Sequence, residues 1–245
     1  MNPRFTDVWV YLAATPLLGL TATLLAYLLA YKLYEKSGLK AWANPVAISV
    51  ALLVALLAAT GTPYRVYFEG AQFVHFLLGP ATVALALPLY DQRRRLVQLA
   101  LPLALGLAAG VSTAIVSAVG IAWLLGASRE TLLSLAPKSV TAPVAMGIAE
   151  RIGGLPSLTA VLVIATGMTG ALLARPIFRA LRIESDATAG FALGLAAHGI
   201  GTARAFQIGE EKGAFAGLAM GLTALATALV APWLAPWLIA LLPVR

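Results

Sequence analysis

The chain has 245 residues, of which 60% are hydrophobic and only 11% are charged, and its formal net charge is +7. Soluble domains usually carry about one quarter charged residues, so this composition excludes an ordinary soluble domain and places the chain in a bilayer. With no cysteine and only two histidines, disulfides and thiolate metal sites are excluded and a multi-histidine metal site is disfavoured. We therefore expect one transmembrane domain over residues 1–245, with no cofactor.

Long apolar segments follow one another along the chain and predict an all-α, polytopic membrane protein with about seven transmembrane helices. The first segment contains no charge and is too long for the apolar core of a signal peptide. The predicted spans are residues 8–31, 44–60, 70–90, 96–125, 155–174, 187–207 and 213–241. Spans one to three and four to six run in opposite senses, which is consistent with an inverted repeat, although any three spans followed by three more invert in this way.

Residues 131–150 interrupt this pattern and are predicted to form a re-entrant or broken element. Pro137 and Pro143 each remove a backbone donor and disrupt the helix around them. Irregular backbone at membrane depth is tolerated only where protein or a water-filled cavity covers it.

In the third span, Gly79 and Pro80 are predicted to break the helix and expose carbonyl groups, and a kinked packing helix is the alternative.

Positive charge is distributed unevenly between the two ends of the predicted spans. If residues 131–150 do not cross, ten basic residues lie on one side: Lys32, Lys36, Lys40, Arg93, Arg94, Arg95, Arg175, Arg179, Arg182 and Arg245. Basic loops face the cytoplasm, so we expect an inner (plasma) membrane protein with its N-terminus outside and its C-terminus in the cytoplasm. Basic cytoplasmic loops also account for the net charge without a nucleic-acid partner.

The segment LAPKSVTAPVA, residues 135–145, places a lysine and two hydroxyl groups beside a predicted half-helix. Pro143 favours the first turn of a helix, and such a helix presents free N–H groups and the positive end of its dipole to an anion. We expect Lys138 to supply the charge of a substrate site and Ser139 and Thr141 to donate hydrogen bonds. The alternative is a lysine that snorkels to the nearby membrane surface.

The segment GFALGLAAHGIGTARA, residues 190–205, places a histidine in the middle of a predicted span. Ionisable residues inside a membrane are costly and indicate function, and His198 titrates near neutral pH, so it is our candidate for both substrate binding and proton coupling. Gly199 and Gly201 can break the helix, and Thr202 lies on the same face as His198. These three residues complete the predicted substrate-binding set. The alternative is a neutral histidine that packs between helices.

Three segments resemble the LrgB/CidB family of bacterial membrane proteins and occur in the order expected of it. They are YFEGAQFVHFLLGPATVALALPLYDQRRRL, LAPKSVTAPVAMGIAERIGGLPSLTA and GFALGLAAHGIGTARAFQIGEEKGAFAGLAMGLTALATALVAP. The resemblance covers about the last three quarters of the chain. Ala142 and Val144 stand where the family pattern has threonine or isoleucine, which leaves the predicted chemistry in place.

This resemblance implies two functions, neither of them enzymatic, and the sequence contains no P-loop, Ser–His–Asp set or metal signature. One is secondary transport of small carboxylates such as glycolate, glycerate, lactate or pyruvate, as in a plastidial relative. The other is holin- or antiholin-like regulation of murein hydrolase activity and autolysis, together with a smaller LrgA/CidA-type membrane partner. Broken helices, a lysine and a buried histidine favour a proton-coupled carrier. We also expect a homodimer, because so few spans offer little surface for both a scaffold and a moving part.

Overall fold

The computed structural model describes residues 16–38, 43–77, 80, 83, 84 and 86–242. These residues are helical or lie in short connections, with no strand among them. Residue contacts divide the chain into two compact units, Met1–Ala84 and Leu85–Arg245, and each is described by itself. The predicted all-α fold is therefore confirmed for the described residues, and the single domain over residues 1–245 stays a prediction.

The helices are numbered here in chain order over the part of the chain that the structure describes. In the first unit they are α1 (Pro16–Lys36), α2 (Pro45–Thr60) and α3 (Tyr64–Phe76). In the second unit they are α4 (Ala86–Asp91), α5 (Arg93–Gln98), α6 (Ala100–Leu124), α7 (Arg129–Leu135), α8 (Ala142–Ile152), α9 (Pro156–Ala180), α10 (Asp186–Ile208) and α11 (Glu210–Leu241).

Four of these helices, α1, α6, α9 and α11, are long and apolar enough to cross a membrane. The apolar helix α2 has 16 residues, so it is about 24 Å long and shorter than a hydrocarbon core of about 30 Å. The chain is thus a multi-pass membrane protein. The count of about seven spans, the inverted repeat and the orientation of the termini stay predictions.

In the first unit, α1 packs against both α2 and α3. The hydroxyl groups of Thr23 and Tyr67 lie 2.8 Å apart and join α1 to α3. Gly19 permits this approach, because a side chain there would collide with the backbone carbonyl of Tyr67. The side-chain oxygen of Asn44 accepts a 2.9 Å hydrogen bond from the amide of Val46, so the Asn-Pro pair starts α2 as an N-cap.

In the second unit, α6, α7, α8, α9 and α11 share an apolar core. Its fully buried side chains include Ile115, Val119, Val140 and Val163. Val140 belongs to the connection between α7 and α8, and Pro137 in the same connection is also fully buried. Protein therefore covers part of this irregular backbone, which is the condition for such a segment to lie at membrane depth.

Candidate functional site

The predicted broken element at residues 131–150 is built as a hairpin of two short helices, α7 and α8, with residues 136–141 at its tip. The hydroxyl oxygen of Ser134 accepts a 2.7 Å hydrogen bond from the amide of Leu155, next to the start of α9. The hydroxyl of Thr159 donates a 3.0 Å hydrogen bond to the backbone carbonyl of Ser134. Both side chains are fully buried. These bonds fix the hairpin against α9 and thereby position its tip.

We expect Ser134→Ala to lower the free energy of unfolding by about 1–3 kcal/mol, because the amide of Leu155 loses its buried hydrogen-bond acceptor. Thermal unfolding of the purified protein in detergent measures this. Ser117→Ala is the matched control, because Ser117 is exposed on α6 and its change should stay within about 0.5 kcal/mol. Equal stability of the two variants would contradict this role for Ser134.

The tip of the hairpin carries the predicted lysine and hydroxyl groups. Lys138 is partly buried, and its ammonium nitrogen donates a 3.3 Å hydrogen bond to the hydroxyl of Ser139, which is itself buried. Thr141 is the N-cap of α8, and its side chain makes no capping hydrogen bond. Pro143 lies in the first turn of α8 and Pro137 in the tip. The N–H groups at the start of α8 that lack an intrahelical acceptor therefore lie next to Thr141.

No carboxylate of the described residues lies within ion-pair distance of Lys138. The ion pairs among those residues join Arg95 to Glu211 and Lys212 to Asp186. A partly buried ammonium group is costly unless an anion compensates it. The tip of the hairpin thus combines a cation, hydroxyl groups and a helix N-terminus, which together suit a small anion.

The predicted span at residues 187–207 differs from a straight helix, because α10 folds back on itself at His198. The backbone of His198 has φ 42° and ψ −132°, far from helical values. A Cβ atom at Gly201 would lie 2.5 Å from the carbonyl oxygen of Leu193 and 2.7 Å from Cβ of Ala197, a proximity that a straight helix cannot produce. The sequence suggests a break at Gly199 or Gly201, whereas the non-helical residue is His198, and Gly201 permits the close packing of the two halves.

The His198 side chain is buried against α9, with 4% of its surface exposed. Its Nε2 atom lies 2.9 Å from the backbone carbonyl oxygen of Val163. A carbonyl oxygen only accepts hydrogen bonds, so Nε2 donates, and in the neutral ring Nδ1 then holds the lone pair that can accept a proton. Gly167 makes room for the ring, since a Cβ atom there would lie 2.8 Å from Cε1 of His198.

The other residues predicted around His198 line the fold-back itself. The hydroxyl of Thr202 donates a 2.8 Å hydrogen bond to the carbonyl oxygen of His198, and the carbonyl oxygen of Ala216 in α11 lies 3.3 Å from the same hydroxyl. Thr202 therefore ties the break in α10 to α11, and its direct contact with a substrate stays a prediction. Gly199 is partly exposed, and a Cβ atom there would meet only the sulfur of Met220, at 3.9 Å.

One face of α9 brings the hairpin and the break in α10 together. Thr159, Val163 and Gly167 follow one another at intervals of four residues, which places them on one side of the helix. Thr159 donates a hydrogen bond to the hairpin, and the carbonyl of Val163 accepts one from His198. Gly167 leaves room for the imidazole ring. The hairpin that carries Lys138 and the break that carries His198 thus pack against the same face of α9.

The structure also adds residues that the sequence interpretation missed. Ser134, Thr159 and Gly167 position the site, and the spacing of Thr159 and Gly167 along an apolar helix was the available signal. Gly79 lies outside the described residues, and Pro80 is exposed. The helix-break roles of these last two residues stay predictions.

Comparison with known proteins identifies relatives of the chain. The profile of the LrgB-like family matches residues 23–237. The uncharacterized protein YxaC of Bacillus subtilis is 41% identical over 147 residues, which are 60% of this chain and 64% of that relative. YwbG of the same organism is 39% identical over 158 residues, 64% of this chain and 70% of the relative. The holin-like protein CidB of Staphylococcus epidermidis is 29% identical over 160 residues, 65% of this chain and 70% of the relative. No solved structure matches.

Proposed function

Because the chain belongs to the LrgB-like family, we propose that it is a secondary transporter of small carboxylates coupled to protons. The substrates would be of the glycolate, glycerate, lactate or pyruvate class. Lys138 would bind the carboxylate, with Ser139, Thr141 and the N-terminus of α8 as hydrogen-bond donors. His198 would hold the coupled proton on Nδ1. Gly199 and Gly201 would let the backbone approach closely beside His198.

The observation that carries this proposal is the partly buried ammonium group of Lys138, which has no carboxylate partner among the described residues. The surrounding architecture supports it. Transporters commonly bind substrates and ions where discontinuous helices end near the middle of the membrane. Here a hairpin tip and a helix fold-back are both held on α9, and each contributes one ionisable residue.

The packing of the Lys138 hairpin and of His198 against one face of α9 suggests how the proton and the substrate would be coupled. A protonated imidazole and an ammonium group repel each other when both lie in a poorly solvated site. A carboxylate bound between them would offset that repulsion, so each ligand would favour binding of the other. Carboxylate and proton would therefore bind together, which is the requirement for symport.

Uptake of labelled glycolate, lactate and pyruvate into proteoliposomes tests the function. We expect saturable uptake of at least one of them, driven by an inward proton gradient, and loss of the response to the gradient in His198→Ala. The proposal is wrong if Lys138→Ala and His198→Ala both transport like the parent protein.

The relatives named as holin-like proteins favour a second candidate, a holin-like pore or regulator of autolysis. A pore would assemble into large oligomers and release trapped dyes without saturation. A regulator would bind an LrgA/CidA-type membrane partner and lose its effect without it. Saturable flux of one substrate in liposomes that contain only this chain separates the carrier from both. A homodimer in the inner membrane remains part of the carrier proposal.

A further inference from the structure

A second polar feature of the Leu85–Arg245 unit lies near the C-terminal end of α9, where a cavity of about 360 Å³ opens between α9, α10 and the start of α11. Its polar lining consists of three cationic side chains, Arg175, Arg179 and Lys212. Its apolar lining includes Phe178 and Ile208. The cavity begins at Ala174, about two turns beyond Gly167, so it is separate from the Lys138 and His198 site.

The length of α9 indicates at which level of the membrane this cavity lies. With 25 residues, α9 is about 37 Å long, whereas the hydrocarbon core of a bilayer is about 30 Å thick. Arg175 and Arg179 fall in the last six residues of the helix, which ends at Ala180. If α9 crosses the membrane and is centred in it, the backbone of Arg179 lies at the edge of the hydrocarbon core and that of Arg175 about 5 Å inside it. Both long side chains then reach the headgroups by snorkelling.

The charges in the cavity are only partly compensated. Lys212 forms a 2.9 Å ion pair with Asp186. Over the described ranges, no carboxylate forms an ion pair with Arg175 or Arg179, and both residues are exposed. Two guanidinium groups one helical turn apart present planar sets of donors, the geometry that best matches the oxygens of a phosphate group.

We propose that this cavity binds a phosphate group, held by Arg175 and Arg179 with Lys212 at its inner wall. The phosphate would come from an anionic phospholipid or from free phosphate. Basic pockets between helices at headgroup depth suit phospholipids, and the adjoining Phe178 and Ile208 would contact the glycerol and acyl parts of such a lipid. This site is independent of the proposed transport function.

Ligand-dependent thermal unfolding of the full-length protein in detergent tests the proposal, with phosphatidylglycerol, phosphatidylcholine and inorganic phosphate as separate probes. We expect phosphatidylglycerol to stabilise the protein at concentrations where phosphatidylcholine does not. The variant Arg175→Gln/Arg179→Gln should bind it about ten-fold more weakly or worse. Stabilisation by inorganic phosphate alone, lost in the same variant, would support the site and assign it to free phosphate.

The matched control is Arg129→Gln/Arg151→Gln, which removes two exposed arginines outside the cavity and should bind like the parent protein. If the glutamine pair does not fold, Arg175→Lys/Arg179→Lys keeps the charge and loses the planar donors, and it should bind several-fold more weakly. Equal stabilisation by both lipids with no effect of phosphate, or unchanged binding in the cavity variants, would overturn the proposal.

Discussion

Lys138→Met should lower the apparent affinity for the transported carboxylate by about 10- to 100-fold and leave the fold intact. A hydrogen bond to a charged group contributes about 1.5–3 kcal/mol, and each 1.4 kcal/mol corresponds to a factor of about ten in affinity. Methionine retains an unbranched chain of similar length and removes the ammonium group. Because no described carboxylate pairs with Lys138, its removal should not lower the melting temperature. Concentration-dependent uptake into proteoliposomes and thermal unfolding measure the two effects.

Lys36→Met is the matched control for this substitution, because Lys36 is exposed in the last turn of α1. It removes the same charge and should change neither uptake nor stability. The carboxylate-binding role of Lys138 is contradicted if the two methionine variants transport with the same apparent affinity. A fall in melting temperature together with unchanged uptake would instead assign Lys138 a structural role.

Gly167→Ala should destabilise the protein by about 1–3 kcal/mol and abolish the response of uptake to a proton gradient. The added methyl group would lie 2.8 Å from Cε1 and 2.9 Å from Nε2 of His198, so the imidazole must leave the carbonyl of Val163. Overpacking of a buried site typically costs this much. Thermal unfolding and gradient-driven uptake are the measurements.

Gly221→Ala controls for the glycine-to-alanine change itself. A Cβ atom at Gly221 would meet nothing within 4 Å, so this variant should be neutral or slightly stabilised. A double-mutant cycle isolates the contact with the histidine: in a His198→Ala background, Gly167→Ala should cost less than in the parent protein. Additive effects of the two substitutions would show that Gly167 does not act through His198.

The sequence was sufficient to select the two ionisable residues of the candidate site. Lys138 stands out because prolines flank it in an apolar chain, and His198 because it lies inside a predicted span. Both signals arise from the energetic cost of burying a charge or a broken helix in lipid, which makes such residues rare by default. The same reasoning predicted the interruption at residues 131–150 without any knowledge of its partners.

The residues that hold the site could not be predicted in this way. Val163 contributes only a backbone carbonyl oxygen, which every residue possesses, so its side chain carries no signal. Gly167 acts by lacking a side chain at a point that is defined only once His198 approaches α9. The fold-back at His198 likewise depends on packing between Gly201 and Leu193, eight residues earlier in the chain.

By itself, the sequence determined that this chain lies in a membrane as helices and that two polar positions interrupt them, because hydropathy and helix-breaking residues act locally. Only the tertiary structure decided that the hairpin of Lys138 and the fold-back at His198 pack against one face of α9. This arrangement depends on contacts between α7, α9 and α10, which join residues far apart in the chain. Such contacts are set by the shapes of the packed helices, and no local pattern encodes them.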